Sequence, residues 1–215
     1  MSYKVAYIDE VDSDIRSFKR SVLLRANEKF EVVSFKPKSY ITETVKEIFE
    51  SHVDAIVADF RLSEEDPTVH YNGSDVIKEI LNIRKDFPVF ILTSFEDDAI
   101  DKGFDVNIVY EKKEIQESPK FFEKVIIQIK KHKAKVEMAE IRILELIEKR
   151  KKEALTYAEE EELIELDSVI EKDLDKKGAI PDDFKKNTNT ERLNDLINKT
   201  DELIREIKSK NNDGK

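Results

Sequence analysis

The 215-residue sequence has no cysteine and no tryptophan, and only four glycines and five prolines. Without cysteine the chain can form no disulfide framework and do no thiol chemistry, which suits a reducing compartment. The opening residues, MSYKVAYIDE, hold no apolar run of signal-peptide length. No stretch approaches the ~18 consecutive apolar residues of a membrane span. We therefore expect a cytoplasmic protein that does not enter a membrane.

The chain also has no net positive charge, because its 38 lysines and arginines are outnumbered by 48 aspartates and glutamates and the formal net charge is -10. Nucleic-acid binding needs clustered lysine and arginine, so we expect no nucleic-acid partner. Charged residues make up 40% of the chain, well above the usual quarter, which predicts a large solvated helix surface. Hydrophobic residues make up 39%, which is enough for one substantial core.

In the first half, apolar runs of strand length alternate with segments of helical period. Strands are predicted at residues 4–8, at 30–35, within 53–62 as a short strand that ends on Asp59, at 89–93 and at 108–110. Helices are predicted at residues 12–26 and 41–51, after an N-cap at Ser74, near Asp97, and from Ser118-Pro119 onward. The first helix should turn Ile15, Phe18, Val22 and Leu23 inward. The third and fourth strands are nearly continuous apolar runs, as expected when helices cover both faces of a sheet. This alternation predicts an α/β fold with a doubly wound parallel sheet.

Polar side chains follow the predicted strands where each one ends. They are Asp9 and Glu10 after the first strand, Asp59 in the third, Thr93 in the fourth and Lys112 after the fifth. In parallel sheets, ligands bind at this carboxyl edge. Each residue alone has an ordinary interpretation: an acid pair at a helix start, a loop acid, a strand threonine, or one lysine among many. Their combination predicts one site.

Three carboxylates in one pocket repel each other, so the predicted site needs a cation. Mg²⁺ prefers hard oxygen ligands. We predict Glu10 and Asp59 as direct ligands, Asp9 as a direct or water-mediated ligand, and the backbone carbonyl of Arg61 as a further ligand. The metal would let Asp59 stay ionised and attack phosphorus.

Lys112 and the Thr93 hydroxyl would then contact the phosphoryl oxygens. In this interpretation the added charge of about -1.5 to -2 on phosphorylation pulls Thr93 and the neighbouring loops inward and changes the protein surface.

The motifs YIDE, VADFRL, ILTS and YEKK, at the first, third, fourth and fifth strands, carry a family resemblance. Over residues 2–131 the chain resembles the receiver domain of bacterial two-component response regulators. The resemblance implies a flavodoxin-like five-stranded sheet of order 2-1-3-4-5. It further implies that Asp59 accepts phosphate from a histidine kinase or phosphotransfer protein. Thr93 would be the switch hydroxyl, Lys112 the phosphate-binding lysine, and Asp9 and Glu10 the acidic pair.

Several residues depart from the family pattern. Glu10 stands where a second aspartate is usual, Val109 where a switching aromatic is common, and Lys113 where a proline often follows the lysine. Lys113 is an alternative site lysine. Strand alternation favours Lys112, since Lys112 shares a face with Tyr110 whereas Lys113 shares one with Glu111.

The chain is predicted to divide into a receiver domain at residues 1–131 and a helical module at residues 132–215. From Ser118 onward, apolar residues repeat every seven positions in two series: Phe122, Ile129, Val136 and Ile143, and Val125, His132, Ala139 and Leu146. This a/d seam predicts a helix that packs first on the sheet and continues as a coiled-coil arm, with His132 as a polar break.

Two capping boxes, Thr156 with Glu159 and Thr188 with Glu191, each predict the start of a further helix. Gly178 and Pro181 should end the first of these helices. The two helices carry apolar stripes at Leu163, Leu166 and Ile170, and at Leu193, Leu196, Leu203 and Ile207. Together with the long helix from Ser118, this makes three helices with one apolar stripe each, which predicts packing in a hairpin or small bundle, in a homodimer, or on a partner.

The resulting hypothesis is a response-regulator-like signalling protein whose only catalysis is its own phosphotransfer and dephosphorylation. Its output would be protein–protein contact. One alternative is a receiver-like scaffold or dimerisation module that works without phosphorylation, as a degenerate receiver would. Another is a metal-dependent phosphohydrolase, which would want a second acid two residues beyond the nucleophile, where Arg61 stands.

Overall fold

The computed structural model describes residues 2–26, 29–94, 108–174 and 199. The chain divides into two compact units, Met1–His132 and Lys133–Lys215. Several predicted features lie outside the described residues: the helix near Asp97, the helix end at Gly178 and Pro181, the Thr188–Glu191 capping box and the stripe Leu193, Leu196, Leu203 and Ile207. In the described ranges, none of the helices has the length and apolar character needed to cross a membrane.

The first unit alternates strands and helices around one sheet. Its described elements are β1 (Tyr3–Ile8), α1 (Asp12–Arg25), β2 (Phe30–Phe35), α2 (Ile41–Glu50), β3 (Ala55–Asp59), α3 (Gly73–Ile83), β4 (Val89–Thr93), β5 (Val109–Glu111) and α4 (Lys112–Glu117). The strands are parallel and lie in the order β2-β1-β3-β4-β5. This confirms the predicted fold class and strand order.

The sheet separates two hydrophobic layers, and successive strand residues enter opposite layers. In β3, Ile56 and Ala58 belong to one cluster, whereas Ala55 and Val57 belong to the other. Because both faces are covered, every residue of β3 and β4 is buried, which explains why these strands read as continuous apolar runs.

Two local predictions in the helices were wrong. Asn72, not Ser74, caps α3, and the Asp75 carboxylate completes the capping box by accepting the Asn72 N–H at 2.9 Å. Ser74 is buried inside the first turn. Leu23 is 70% exposed, because the 100° step from Val22 carries it off the stripe that faces the sheet.

The chain after β5 does not continue as a strand. Lys112 is the first residue of the short helix α4, which runs to Glu117. A longer helix, α5 (Lys120–Arg150), follows. In the first unit its residues Phe122, Val125 and Ile129 pack in the hydrophobic layer that also contains Ala55 and Val57 of β3. His132 lies edge-on to the ring of Phe87, with 5.5 Å between ring centroids.

In the second unit the later part of α5 pairs with α6 (Tyr157–Leu174). The predicted capping box starts this helix, since Thr156 N–H donates to Glu159 Oε2 at 2.9 Å and Glu159 N–H donates to Thr156 Oγ1 at 3.3 Å. The buried cluster between the helices is Ala139, Ile143, Leu146, Ile147, Leu163 and Ile170. The second half of the predicted seam is therefore covered by a helix of the same chain, so the hairpin arrangement is observed here.

Candidate functional site

The carboxyl ends of the central strands bring the predicted site residues to one edge of the sheet. Strands β1 and β3 are neighbours, with Ile8 paired to Ala58, so the next residues along the two chains, Asp9 and Asp59, lie side by side. Thr93 ends β4 one residue beyond Leu92, the partner of Asp59. Its pairing partner in β5 is Glu111, the residue directly before Lys112.

Lys112 joins the acidic residues of this edge. Its Nζ lies 2.7 Å from Asp59 Oδ1, 3.2 Å from Asp9 Oδ2 and 2.5 Å from Asp14 Oδ2. The side chain is 19% exposed. Burial opposes the charged form of Lys112, but the carboxylates of Asp59, Asp14 and Asp9 together raise its pKa above the usual value for lysine. The ammonium is therefore a fixed positive charge at the centre of the site.

Asp59 is a buried carboxylate with donors on both oxygens. Its residue is 6% exposed, and its Oδ2 accepts the Arg61 backbone N–H at 2.8 Å. Burial, with a smaller contribution from Asp9, raises the pKa of Asp59 from the ordinary 3.8 to about 6, although Lys112 and the Arg61 N–H act in the opposite direction. At neutral pH the group is ionised, but it is a stronger base than a solvated carboxylate.

Asp9 is enclosed by donors from three directions. The Tyr7 hydroxyl donates to its Oδ2 at 2.7 Å, and the Val11 N–H donates to its Oδ1 at 2.9 Å. Lys112 supplies the third contact. Tyr7 is buried, and burial together with the charge of Asp9 raises its pKa well above the usual value. The phenol therefore stays protonated and acts as a donor.

Glu10 is placed differently from the other acids. It is 4% exposed, and its Oε1 and Oε2 accept the backbone N–H groups of Glu64 and Glu65 at 2.8 and 2.9 Å. Both oxygens thus point to the loop between β3 and α3. The Arg61 side chain pairs with Glu64 in the same loop, with 2.9 Å between Arg61 Nη1 and Glu64 Oε1.

Of the predicted residues, Lys112 contacts both Asp9 and Asp59 directly. The structure places the Arg61 backbone on Asp59 and buries Thr93 on the neighbouring strand. Lys113 has a side chain that is 74% exposed, and its Nζ lies 3.8 Å from Glu117. Within the described ranges, no group of three or more histidine, cysteine, aspartate or glutamate side chains is arranged to hold a metal ion.

Sequence reasoning missed two residues of this site, Tyr7 and Asp14. A signal for Tyr7 was present, because residues two apart on a strand share a face and Tyr7 stands two before Asp9. Asp14 carried no such signal. Acids in the first turn of a helix are common, since they interact favourably with the helix dipole.

No protein-family model matches the chain, and no curated protein matches it either. Solved structures do match. The RcsB response regulator of Salmonella typhimurium is 17% identical, with a TM-score of 0.45, and the match covers 60% of this chain and 60% of that chain. The chain is similar to response-regulator receiver domains. It spans about 60% of the length of the RcsB chain.

Two further structures match a similar share of this chain. A signal receiver domain from Vibrio parahaemolyticus is 19% identical, with a TM-score of 0.42 and coverage of 61% of this chain and 92% of that one. The bacteriophytochrome response regulator AtBRR is 15% identical, with a TM-score of 0.43 and coverage of 60% and 93%. At such identities the likeness concerns the fold.

Proposed function

We propose that this chain is a response-regulator-like signalling protein that accepts a phosphoryl group on Asp59. The observation that carries the proposal is the contact of Lys112 Nζ with Asp59 Oδ1 at 2.7 Å, at the carboxyl edge of the parallel sheet. Asp59 is buried and more basic than a solvated carboxylate. A basic carboxylate beside a fixed cation suits attack on an anionic phosphorus centre.

In the proposed reaction an oxygen of Asp59 forms the new bond to phosphorus. The phosphorus–nitrogen bond of a phosphohistidine breaks, and the imidazole leaves with the electron pair. The donor would be a histidine kinase or a phosphotransfer protein. Lys112 would move its hydrogen bond from Asp59 to a phosphoryl oxygen, and the Thr93 hydroxyl would donate to another. The product is an acyl phosphate with a charge of about -1.5 to -2.

The residues fit a Mg²⁺ ion in part. One cation, the Lys112 ammonium, already bridges Asp9 and Asp59. Mg²⁺ is commonly held by one or two carboxylates, with water and phosphate oxygens completing its shell. Asp9, Asp59 and the Arg61 carbonyl would therefore hold it. When bound, the metal would neutralise charge on the phosphoryl oxygens.

The helical residues 132–215 would carry the output, through protein–protein contacts that include a homodimer. Binding of beryllofluoride, a mimic of the phosphoryl group, tests this part. We expect small-angle scattering of the full chain to change on its addition, and to stay unchanged for Asp59→Asn. An unchanged profile for the wild-type chain would remove the proposed response.

The acceptor itself is tested by incubating the full chain with acetyl phosphate and Mg²⁺ and measuring intact mass. We expect the wild-type chain to gain one phosphoryl group and Asp59→Asn to gain none. Asp66→Asn, at an exposed position in the loop after β3, is the matched control and should behave as wild type. Failure of the wild-type chain to gain mass would favour the phosphorylation-independent scaffold. A gain that survives Asp59→Asn would place the acceptor elsewhere.

A further inference from the structure

Glu10 connects the end of β1 to the loop between β3 and α3. Its carboxylate is buried, and each oxygen accepts a different backbone N–H, at 2.8 Å from Glu64 and 2.9 Å from Glu65. Hydrogen bonds to an ionised acceptor are about twice as strong as neutral ones. The two contacts therefore hold the carboxylate and the loop in one fixed arrangement.

The same loop reaches the proposed acceptor. The Arg61 N–H donates to Asp59 Oδ2 at 2.8 Å, and the Arg61 side chain pairs with Glu64 at 2.9 Å. A residue that fixes Glu64 and Glu65 thus also limits where Arg61 can lie. The loop is acidic, so repulsion between its side chains and Glu10 would push it away if the backbone N–H groups did not bind the carboxylate.

The length of the Glu10 side chain is part of this arrangement. An aspartate is shorter by one carbon–carbon bond, about 1.5 Å, so its oxygens would lie beyond hydrogen-bond distance of both N–H groups. A carboxylate oxygen has a second lone pair, but both Glu10 oxygens face the loop, so turning the carboxylate toward a metal held by Asp9 and Asp59 would strain or break these two hydrogen bonds.

We propose that Glu10 is a positioning residue that clamps the loop beside Asp59, and that it is not a ligand of the metal. This inference rests on the proposed function, because it assigns Asp9, Asp59 and the Arg61 carbonyl alone to Mg²⁺. It gives Glu10 a role in fixing the geometry of the acceptor loop. The clamp itself exists without metal and can be measured without it.

The first test is hydrogen exchange of the Glu64 and Glu65 amides, read by NMR on the full chain in metal-free buffer. We expect exchange at both amides to speed up at least tenfold in Glu10→Gln and in Glu10→Asp. The matched control is Glu31→Gln, at an exposed position on β2, which should exchange as wild type. Unchanged protection in both Glu10 variants would overturn the clamp.

The second test is Mg²⁺ titration of the same proteins, followed by the backbone NMR signal of Arg61. Because loss of the clamp loosens the Arg61 carbonyl, we expect the Kd of Glu10→Gln to rise, but by less than about tenfold. A Kd weakened tenfold or more, with amide protection retained, would make Glu10 a metal ligand and refute the proposal. Absence of Mg²⁺ binding by the wild-type chain would count against the proposed function, while the exchange result would still decide the role of Glu10.

Discussion

The hydroxyl of Tyr7 donates a 2.7 Å hydrogen bond to Oδ2 of Asp9, inside the layer formed by the sheet and α1. The Tyr7 ring also stacks on Phe18, with 4.1 Å between centroids and 6° between ring planes. The ring thus contributes packing, and its oxygen satisfies a buried charge. The two contributions can be separated by removing the oxygen alone.

Tyr7→Phe should lower the free energy of unfolding of the first unit by about 1–3 kcal/mol, because a buried charged acceptor loses a donor while the ring stays. Native-state hydrogen exchange of the slowest amides in β1 and β3 measures this. Tyr40→Phe, at a residue that is 69% exposed, should change stability by less than ~0.5 kcal/mol. Equal effects in the two variants would mean that the hydrogen bond does not stabilise the fold.

Lys112→Met should raise the pKa of Asp59 from about 6 to above ~7, because a nearby cation usually lowers the pKa of a carboxyl by 1–3. Carbon-detected NMR titration of the Asp59 carboxyl in EDTA measures it. Lys113→Met is the neighbouring control, since that side chain is 74% exposed and its Nζ lies 3.8 Å from Glu117. A similar shift in both variants would contradict the assignment of the site lysine.

Strand bounds could be predicted from the sequence where an apolar run ends abruptly at polar residues. Both the predicted and the observed bounds of β4 are 89–93, because an apolar run covered on both faces ends where the polar edge begins. The predicted end of β3 at Asp59 is also observed, although the apolar stretch from Val53 to Leu62 runs past the strand at both ends. Phe60 and Leu62 are buried although they lie outside the strand. Apolar content alone does not distinguish a buried strand residue from a buried loop residue.

The sequence predicted which residues gather at the site, but not the hydrogen bonds and ion pairs that they form there. Strand order places Asp9, Asp59 and Lys112 at one edge, and this could be inferred from alternation and resemblance. The direction of the Glu10 carboxylate depends on the backbone of residues 64 and 65, which no periodic pattern encodes. Asp14 joins Lys112 only because α1 starts close to the edge of the sheet.

Stability should also depend on the charge of Asp59. Its pKa is raised to about 6 from the ordinary 3.8, so between about pH 4 and 6 the folded state binds more protons than the unfolded state and stability falls as pH rises. Asp59→Asn removes this penalty and leaves Lys112 paired with Asp9 and Asp14. We expect the variant to be more stable at pH 7 by about 3 kcal/mol, and to lose that gain as the pH falls from 6 to 4.

The measurement is native-state hydrogen exchange of the first unit in EDTA at several pH values. Asp66→Asn provides the contrast, because hydrogen bonds from Thr68 lower the pKa of Asp66. That variant should be slightly less stable than wild type at neutral pH, with the difference vanishing in acid. A stability gain of Asp59→Asn that does not depend on pH would rule out ionisation as its cause.

Position 73 requires glycine, because its backbone lies close to the backbone of Asp59, the proposed acceptor. A Cβ at this position would overlap the carbonyl oxygen of Asp59, which is backbone and cannot rotate away. Gly73→Ala should therefore displace the end of β3 or the start of α3, at a cost of about 1–3 kcal/mol, and slow phosphorylation of Asp59. Ser74→Ala, at the next buried position of the same turn, should have less effect on both unfolding and phosphorylation rate. Equal losses would point to general disturbance of the helix start.

In the second unit, the buried seam should matter more than the ion pairs beside it. Arg142 binds Glu162 through two hydrogen bonds of 2.8 and 2.9 Å, but both side chains are about 40% exposed, where solvent screens the attraction.

Ile143 is 1% exposed, whereas Ile141 on the same helix is 51% exposed. Ile143→Ala should speed hydrogen exchange of the α6 amides by an amount that corresponds to about 2–5 kcal/mol. Ile141→Ala should leave exchange nearly unchanged. If the two variants behaved alike, the α5–α6 pairing would not depend on this cluster.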